Sequence, residues 1–546
     1  MKHLSFKKKA LAMVLVLAVV LAAASVFALQ AEGENNPFIG TFWSLVPPIV
    51  AIVLALITKE VHSSLFAGIL VGGFFYANFN PVTAMHTIID NGFVAVLSDS
   101  WNVGILIFTI LLGVVSALSF KAGGTVAYGK WALKNIKTRK GAQLSTMALG
   151  CLIFVDDYFN CLTVGNVMRP VTDSHQVSRA KLAYFIDATA APVCIIAPIS
   201  SWAAAVTGVV QGYGSSPYSL FLDSIGFNFY ALFTLTMVLC VCLMDIDFGP
   251  MKTHEENARK GDLYTTPDRP YADAANDVPN DKGKTIDLIL PIFAILIPCC
   301  ILGLLYTGGF FSGETFVDAF ANCDASLGLV YGSLIGIIIM LIYYLCRGVM
   351  NFKEFMDCLP QGFRNMVPAV LILIFAWTLS AMTGLLGAAE YVAAIVDSAA
   401  GNLANFLPAI IFLIAGGLSF ATGTSWGTFG ILLPIVVKVF PLGNPLLIVG
   451  VGACLAGAVV GDHCSPISDT TIMASAGAQC NHINHVSTQL PYVLVCAAVC
   501  FVFYIIAGFW QSIIVTILGI AAMVGLMFLV KTLVNKKASC NCKKEA

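Results

Sequence analysis

Apolar segments separated by short polar breaks run along almost the whole chain from about residue 40 onward. A membrane-spanning helix needs about 20 apolar residues, so this pattern predicts roughly a dozen spans. A half-polar stretch at 81–100 is predicted to lie outside the membrane or to re-enter it. The predicted apolar segments are 43–57, 65–77, 103–120, 147–155, 182–210 (interrupted), 227–244, 286–305, 327–345, 366–382, 403–418, 429–440, 446–460, 486–507 and 513–530.

Basic residues divide the chain into regions, because lysine and arginine are enriched on the cytoplasmic side of membrane proteins. One basic loop holds Lys130, Lys134, Lys137, Arg139 and Lys140, and a basic tail ends the chain. The N-terminus places lysines before an apolar run, which is typical of a targeting segment. We therefore predict a signal peptide or signal anchor at 1–30, a first transmembrane repeat at 38–246, a cytoplasmic linker at 247–285, a second transmembrane repeat at 286–510, and a final helix with a basic cytoplasmic tail at 511–546.

The two halves carry matching residues at similar spacings. A Ser-Ala pair at 116–117 recurs at 380–381, an offset of 264 residues (380 − 116). At that offset Asn160 corresponds to Thr424, so each copy has a polar residue at a predicted helix break. The tripeptide Pro-Ile-Ser at 198–200 recurs at 466–468, an offset of 268 residues (466 − 198). Repeated matches over this length predict an internal repeat.

The two copies differ in charge. The basic loop 130–140 corresponds to residues 394–404, which contain no lysine or arginine. The same repeat position is therefore predicted to lie inside in one half and outside in the other. We predict an all-α polytopic membrane protein with two inverted-topology repeats and broken or re-entrant helices, the common plan of secondary transporters.

Composition agrees with this class. Of the 546 residues, 58% are hydrophobic and 11% are charged, and the mean hydropathy is +0.87. A soluble domain carries about twice that charged fraction. The net charge of −1 and the lack of a basic domain argue against a nucleic-acid partner. The predicted location is a prokaryotic plasma membrane, with the lipid bilayer around the chain, and a homodimer is left open.

The most polar break lies between two apolar segments, at residues 461–491. It contains two aspartates, three histidines and a run of hydroxyl side chains. Carboxylates at membrane depth are costly and normally face a water-filled path or a binding site. A broken helix also frees backbone carbonyls, which must line a cavity or be buried in protein. This combination predicts an ion or substrate site; the alternative is a polar loop between two helices.

Other polar breaks are predicted to meet this one. The stretch 422–428 alternates glycine with hydroxyl residues and can present oxygens to Na⁺, a hard cation. Buried carboxylates can hold either Na⁺ or H⁺, and this competition gives antiport when the site opens to each side in turn. The predicted ion- or substrate-binding residues are Asp156, Asp157, Asn160, Asp187, Ser200, Thr422, Thr424, Ser425, Asp462, Ser465, Ser468, Asp469 and His485.

Some of these residues also have a structural interpretation. Consecutive side chains on a helix point about 100° apart, so Asp156 and Asp157 do not both face one point of an intact helix. One of them is predicted to cap a helix or to pair with Arg169 or Arg179. For Asp187 and Asp469, a helix cap or an internal pair is as good an interpretation as a binding role. His485 is predicted to be a hydrogen-bonding part of the cavity, a pH-sensing group or a buried structural histidine.

Several motifs resemble those of NhaC-type Na⁺/H⁺ antiporters. Residues 461–471 read Gly-Asp-His-Cys-Ser-Pro-Ile-Ser-Asp-Thr-Thr, and 485–492 read His-Val-Ser-Thr-Gln-Leu-Pro-Tyr. Residues 156–160 and 422–428 are similar to the same family, and the resemblance covers most of 40–510. It implies membership of the ion transporter superfamily, with inverted repeats and re-entrant hairpins. Members of the family include Na⁺/H⁺ exchangers, Na⁺-lactate/H⁺-malate exchangers and amino-acid carriers.

Three functions are compatible with these observations. The leading prediction is a Na⁺/H⁺ antiporter that exchanges cation and proton at a shared carboxylate site, with no resident cofactor. The second is a Na⁺- or H⁺-coupled carrier of a small organic anion or amino acid, whose carboxylate would be held by Arg169, Arg179 or Arg364. The third, remote one is an intramembrane zinc enzyme using Cys480, His482 and His485, although the glutamate of a His-Glu-x-x-His motif is missing. The sequence thus predicts a transporter and not an enzyme.

Overall fold

The structure is a computed structural model that describes residues 36–58, 60–154, 156–198, 200–210, 217–270, 280–388, 390–391, 394, 405–440 and 442–545. Over these residues the secondary structure is helical and no strand is formed. The predicted targeting segment at 1–30 and most of the stretch 394–404 lie outside the described residues.

The first half consists of short and long helices interrupted at polar positions. Before the first α-helix lies a 3₁₀ turn, Phe42–Leu45, and a π-helix at Thr87–Val94 joins two short helices. The α-helices are α1 Val46–Thr58, α2 Val61–Tyr76, α3 Pro81–His86, α4 Ala95–Ser98, α5 Ser100–Lys121, α6 Gly124–Asn135, α7 Arg139–Leu152, α8 Asp157–Ser174, α9 Arg179–Thr189, α10 Ala191–Cys194, α11 Ser201–Val209, α12 Pro217–Ile225, α13 Phe229–Met244 and α14 Gly249–Ala258.

The second half has fewer and longer helices. It includes a π-helical turn at Leu290–Leu296 and a 3₁₀ turn at Phe310–Ser312. The α-helices are α15 Ile286–Ile289, α16 Ile297–Thr307, α17 Phe316–Ala321, α18 Ala325–Arg347, α19 Phe352–Leu385, α20 Leu407–Thr422, α21 Ser425–Val439, α22 Leu446–Cys464, α23 Asp469–Ala478, α24 His482–Phe509 and α25 Ile513–Glu545.

Seven helices of the described chain are long and apolar enough to cross a membrane, or eight if the bent helix α19 counts as one span. Helix α19 bends by 45° at its middle. The number is lower than the predicted dozen because further apolar segments form helices of only 10–17 residues that end at polar breaks. The class of a multi-pass α-helical membrane protein is confirmed.

Two predicted loops contain helices. The basic loop is helical except at 136–138, where α6 ends and α7 begins. The predicted linker contains α14 and packs against the helical core. Its Glu255 carboxylate is buried and forms an ion pair with Arg139, and Asp268 accepts a hydrogen bond of 2.7 Å from Asn481. The basic loop and the linker therefore lie at the same end of the molecule, as their shared cytoplasmic assignment requires.

Helix starts recur through the two halves at one spacing. Helices α7, α8 and α11 begin 268 residues before α20, α21 and α23 respectively (425 − 157 for the second pair). Asp156 and Thr424 cap equivalent helices, both with extended backbone. The correspondence is thus 268 at this point, and the predicted pairing of Asn160 with Thr424 at 264 is out of register by one helical turn.

Helix α24 relates the ends of the two copies. Its first residues contact the linker, whereas Phe509 at its far end stacks edge-on against Phe406, with ring centroids 5.2 Å apart. A helix of 28 residues is about 42 Å long. The start of α20 therefore lies at the opposite end of the molecule from the start of α7. An inverted repeat requires this placement, and the inverted relation itself stays a prediction.

The two halves also meet at a close backbone contact between α8 and α23. A Cβ atom added to Gly165 would lie 2.3 Å from the carbonyl carbon of Gly477, and one added to Gly477 would lie 2.3 Å from the Cys161 oxygen. Only glycine fits at both positions. We call this contact, Gly165 against Gly477, the glycine seam.

Candidate ion-binding site

Four buried aspartates from both halves lie in one polar region, which we call the acidic centre: Asp157, Asp187, Asp462 and Asp469. Asp157 and Asp469 are the first residues of α8 and α23. Asp187 and Asp462 lie in the last turns of α9 and α22. Helix ends leave backbone groups unpaired, so helices that end in the interior need polar side chains there.

The breaks in the second half touch each other at Gly423. This residue has a φ of +71°, and a Cβ atom on it would lie 2.4 Å from the Ile467 oxygen. Its own carbonyl accepts a hydrogen bond of 3.2 Å from the Asp469 N–H. The glycine and hydroxyl stretch 422–428 therefore packs directly on the Pro-Ile-Ser break that precedes α23.

Asp462 is bound on one oxygen only. Its Oδ2 accepts hydrogen bonds from the Thr470 hydroxyl at 2.9 Å and the Ser425 hydroxyl at 3.2 Å. Its Oδ1 is buried and has no hydrogen-bond partner among the described residues. A buried acceptor without a donor needs an explanation, and a bound ion is one of the usual ones.

Asp187 has a similar arrangement. Its Oδ2 accepts hydrogen bonds from Gln489 Nε2 at 2.6 Å and from the Thr471 hydroxyl at 2.9 Å. The Nε2 atom of His485 lies 3.3 Å from the same oxygen, and that of His463 lies 3.7 Å from Oδ1. Within the described chain Asp187 Oδ1 accepts no hydrogen bond. Since Thr470 and Thr471 are adjacent, one turn of α23 supplies a hydroxyl to both carboxylates.

The other two carboxylates are held by aromatic donors. The Trp202 Nε1–H donates to Asp157 Oδ2 at 2.9 Å, and the Tyr158 hydroxyl donates to Asp469 Oδ2 at 2.7 Å. Their remaining oxygens accept backbone N–H groups of the next residue at 3.1 and 2.8 Å. These two carboxylates are therefore more fully occupied than Asp187 and Asp462.

No lysine or arginine of the described chain forms an ion pair with the acidic centre, and its only ionic contacts are to histidines. The two arginines that were predicted to pair with Asp156 or Asp157 lie elsewhere. Arg179 pairs with Asp173, with both N–O distances at 2.7 Å, and Arg169 donates to the Gly477 carbonyl at 3.4 Å. That part of the prediction is wrong, because the arginines are at the C-terminal end of α8 and the start of α9, far along the chain from their supposed partners.

Three predicted site residues stabilise helix ends. Asp156 caps α8 by accepting the Phe159 N–H at 2.9 Å, so the predicted capping role is confirmed. Asn160 Nδ2 donates to the carbonyls of Gly150, Ile153 and Thr189 at 2.7, 2.7 and 3.3 Å. The Ser200 hydroxyl donates to the Cys194 carbonyl at 2.7 Å and accepts the Ala203 N–H at 3.1 Å. None of these contacts joins the acidic centre directly.

The hydroxyl residues of the second half divide in the same way. Ser425 binds Asp462, whereas the Thr422 hydroxyl donates to the Leu418 carbonyl at 3.0 Å. Three others serve as caps or close turns. Thr424 accepts the Gly427 N–H at 3.5 Å, Ser468 accepts the Thr471 N–H at 3.1 Å, and the Ser465 hydroxyl donates to the Phe420 carbonyl at 2.8 Å.

The histidines differ in their partners. Both ring nitrogens of His482 are used, by the Ser475 hydroxyl at 3.0 Å and the Pro466 carbonyl at 2.7 Å. The Cys480 thiol lies 3.4 Å from the Asn481 carbonyl. In the part of the chain that the structure describes, no three His, Cys, Asp or Glu side chains form a metal-binding group. The contacts of His482 and Cys480 thus give no support to a zinc site with His485.

Several contacting residues were not among the predicted site residues. Thr470, Thr471 and His463 belong to the polar run that drew attention to this region, so the same signal would have found them. Gln489 is a lone amide in an apolar helix, which also marks a polar contact. Trp202 and Tyr158 carry no such signal, since an aromatic residue in an apolar segment is ordinary core material until its partner is known.

Comparison with known proteins gives one family. A family model described as the Na⁺/H⁺ antiporter family matches residues 182–509. A Haemophilus influenzae protein named only as uncharacterised is 38% identical over 496 residues, which are 88% of this chain and 93% of that protein. The malate-2H⁺/Na⁺-lactate antiporter of Bacillus subtilis is 31% identical over 165 residues, which are 29% of this chain and 34% of that antiporter.

Among solved structures, the chain aligns with Neisseria gonorrhoeae MtrF, which is titled as illuminating a class of antimetabolite efflux pumps. The sequence identity is 13% and the TM-score is 0.34, over 85% of this chain and 94% of that one. A likeness at this TM-score says nothing further about the fold or the transported species.

Proposed function

Because this chain belongs to the Na⁺/H⁺ antiporter family, and is thus a secondary transporter of the plasma membrane and not an enzyme, we propose that it exchanges Na⁺ for H⁺. The proposed site is the acidic centre, with Asp187 and Asp462 as the residues that hold the transported ion. Na⁺ and H⁺ are cargo in this proposal.

One observation carries the proposal. Asp187 and Asp462 each keep one carboxylate oxygen that no donor of the described chain uses. The other oxygen of each is fixed by neutral hydroxyl and amide donors. Oxygen ligands suit a hard cation such as Na⁺. Neutral donors orient a carboxylate without neutralising it, so its charge stays available for a cation or a proton.

The exchange follows from competition. A carboxylate that has taken up a proton no longer attracts Na⁺, and one that holds Na⁺ excludes the proton. If the loaded centre faces each side of the membrane in turn, the uphill movement of one ion is driven by the other. Ser425, Thr470 and Thr471 would complete the oxygen shell, since their hydroxyls already lie within 3.2 Å of the two carboxylates.

The test is a flux measurement on purified protein in proteoliposomes that contain a pH-sensitive dye. An imposed Na⁺ gradient should drive proton movement in the opposite direction, and an equal K⁺ gradient should drive little. Proton movement that needs an added organic acid or amino acid, and that does not occur with Na⁺ alone, would contradict simple Na⁺/H⁺ exchange.

A second candidate function has a specific observation in its favour. The Bacillus subtilis relative is named as an exchanger of malate with protons for lactate with Na⁺, and it matches this chain over about a third of its own length. A carrier that couples Na⁺ or H⁺ to a small carboxylate therefore remains the alternative. It would use the same carboxylates for the cation and would need a separate cationic group for the anion.

A further inference from the structure

A polar cavity of about 240 Å³ lies at the ends of α5, α6 and α8, next to the linker. Its wall contains two arginines, Arg169 and Arg179, and one aspartate, Asp173. The amide side chains of Gln361, Asn365 and Gln479 also line it. The cavity is too small for a macromolecule or a large cofactor, and it has the size of a small metabolite.

The charges in this wall do not balance. Asp173 is bound by Arg179 through both carboxylate oxygens, at 2.7 Å each. Arg179 also donates to the Ala478 carbonyl at 2.8 Å, so its guanidinium is fully committed. Arg169 forms no ion pair with any described residue, and its one hydrogen bond there is the long contact of 3.4 Å with the Gly477 carbonyl. One positive charge is left over, on a half-buried side chain that faces the cavity.

We propose that this cavity binds the carboxylate group of a small organic solute through Arg169. A guanidinium presents paired N–H donors whose geometry fits a carboxylate. Phe120, Val126 and Tyr264 supply an apolar part of the wall for the carbon skeleton, and the three amides can bind its hydroxyl, keto or amino substituents.

The position of the cavity links it to the acidic centre. Both lie along α23: Thr471 near its start binds Asp187, and Gly477 near its end binds Arg169. Six residues of helix separate these two contacts by about 9 Å. A carboxylate held at Arg169 would therefore stand at the entrance to the cation site. This inference rests on the proposed transport function in one respect, namely that the bound solute is also transported.

The binding test uses the full-length protein in detergent. The melting temperature is followed while potassium acetate, succinate or lactate is added at constant ionic strength, with potassium chloride as the reference. We expect a saturable rise with at least one of the three carboxylates and none with chloride. Arg169→Gln should weaken apparent affinity at least tenfold, Arg169→Lys should weaken it less, and Arg269→Gln, which alters an exposed arginine on the outer side of Tyr264, should leave it unchanged.

The outcomes separate this inference from the proposed function. Carboxylate binding that persists in Asp462→Asn and is lost in Arg169→Gln supports the cavity site whatever the cation test shows. An affinity that is equal in wild type and Arg169→Gln, or a chloride effect as large as that of the carboxylates, would overturn it. Na⁺-driven proton flux that continues in Arg169→Gln while carboxylate binding is absent from the wild type would leave the antiporter proposal standing and remove the anion site.

Discussion

The acidic centre and the ion-pair network at the linker are both buried and both rich in carboxylates, but they are neutralised in opposite ways. In the network, Lys181 lies 2.7 Å from Asp247 and 3.5 Å from Glu255, and Glu255 also pairs with Arg139. In the acidic centre the partners are hydroxyls, an amide, aromatic donors and histidines.

The difference separates structural charge from exchangeable charge. A carboxylate paired permanently with lysine or arginine has little remaining attraction for a cation, and it stabilises the packing of the elements that it joins. A carboxylate oriented by neutral donors keeps its charge, which is costly in a buried site unless a cation or proton joins it. The first arrangement suits a joint between helices, and the second suits a site that is loaded and emptied.

The largest expected effect comes from removing a charge at the centre. Asp462→Asn should reduce Na⁺-driven proton flux by about 100-fold or more, because a carboxamide neither binds a proton in this pH range nor attracts Na⁺. Flux in proteoliposomes measures this directly. The melting temperature should stay close to that of the wild type, since the side chain keeps its shape and an acceptor for Ser425 and Thr470.

A matched control is Asp245→Asn, which alters an acid of the partly exposed linker pairs with Arg139 and Arg259. This variant should retain wild-type flux. Normal exchange in Asp462→Asn would remove Asp462 from the site, and an equal loss in both variants would show that flux responds to any lost carboxylate.

The opposite result is expected in the network. Lys181→Met should lower the free energy of unfolding by about 3–5 kcal/mol, because it leaves Asp247 and Glu255 with an uncompensated buried charge. Flux per folded molecule should change little. Denaturation in detergent and flux normalised to folded protein check the two parts, and a stable Lys181→Met protein without transport would contradict the distinction between the regions.

A smaller effect on stability is expected at Asn160. Asn160→Ala removes the donor to three buried carbonyls and should cost about 1–3 kcal/mol. The apparent KM for Na⁺ should stay within about twofold of the wild-type value, since these contacts brace helix ends. A large rise in that KM with unchanged stability would instead return Asn160 to the ion site.

The smallest expected change is at His485, whose Nε2 lies 3.3 Å from Asp187. Histidine is the side chain whose charge ordinarily changes between pH 5 and 8, and a protonated imidazole here would compete with Na⁺ for Asp187. His485→Gln should therefore lower the apparent KM for Na⁺ about threefold at pH 6. At pH 8.5 the two proteins should coincide, and an unchanged ratio between these pH values would exclude competition by His485. His463 is unchanged in the variant, so it serves as the internal control.

The sequence predicted the class of fold because long apolar segments have few alternatives to membrane helices. It overcounted spans, since hydropathy does not show whether a helix stops at 15 residues or crosses the whole bilayer. It missed the helices in the basic loop and in the linker, whose stability depends on contacts such as Arg139 with Glu255 that are distant in the chain.

The candidate site was predicted in part for a related reason. Asp187, Ser425, Asp462, Asp469 and His485 were selected as polar residues in apolar surroundings, and the fold brings them together. The same criterion also selected residues that satisfy local backbone groups, such as Ser200 and Thr424. Composition alone does not distinguish a side chain that caps its own helix from one that reaches another helix.

The glycine seam has a consequence for how the molecule can move. With no side chain at Gly165 or Gly477, α8 and α23 touch backbone to backbone, and any gap between them would lose these close contacts without new ones to replace them. The two helices are therefore expected to turn together as a fulcrum, while the surrounding helices rock about them. A bulkier residue in the seam would act as a wedge that slows the turnover of a loaded carrier, even though it lies outside the shell of oxygens around the ion.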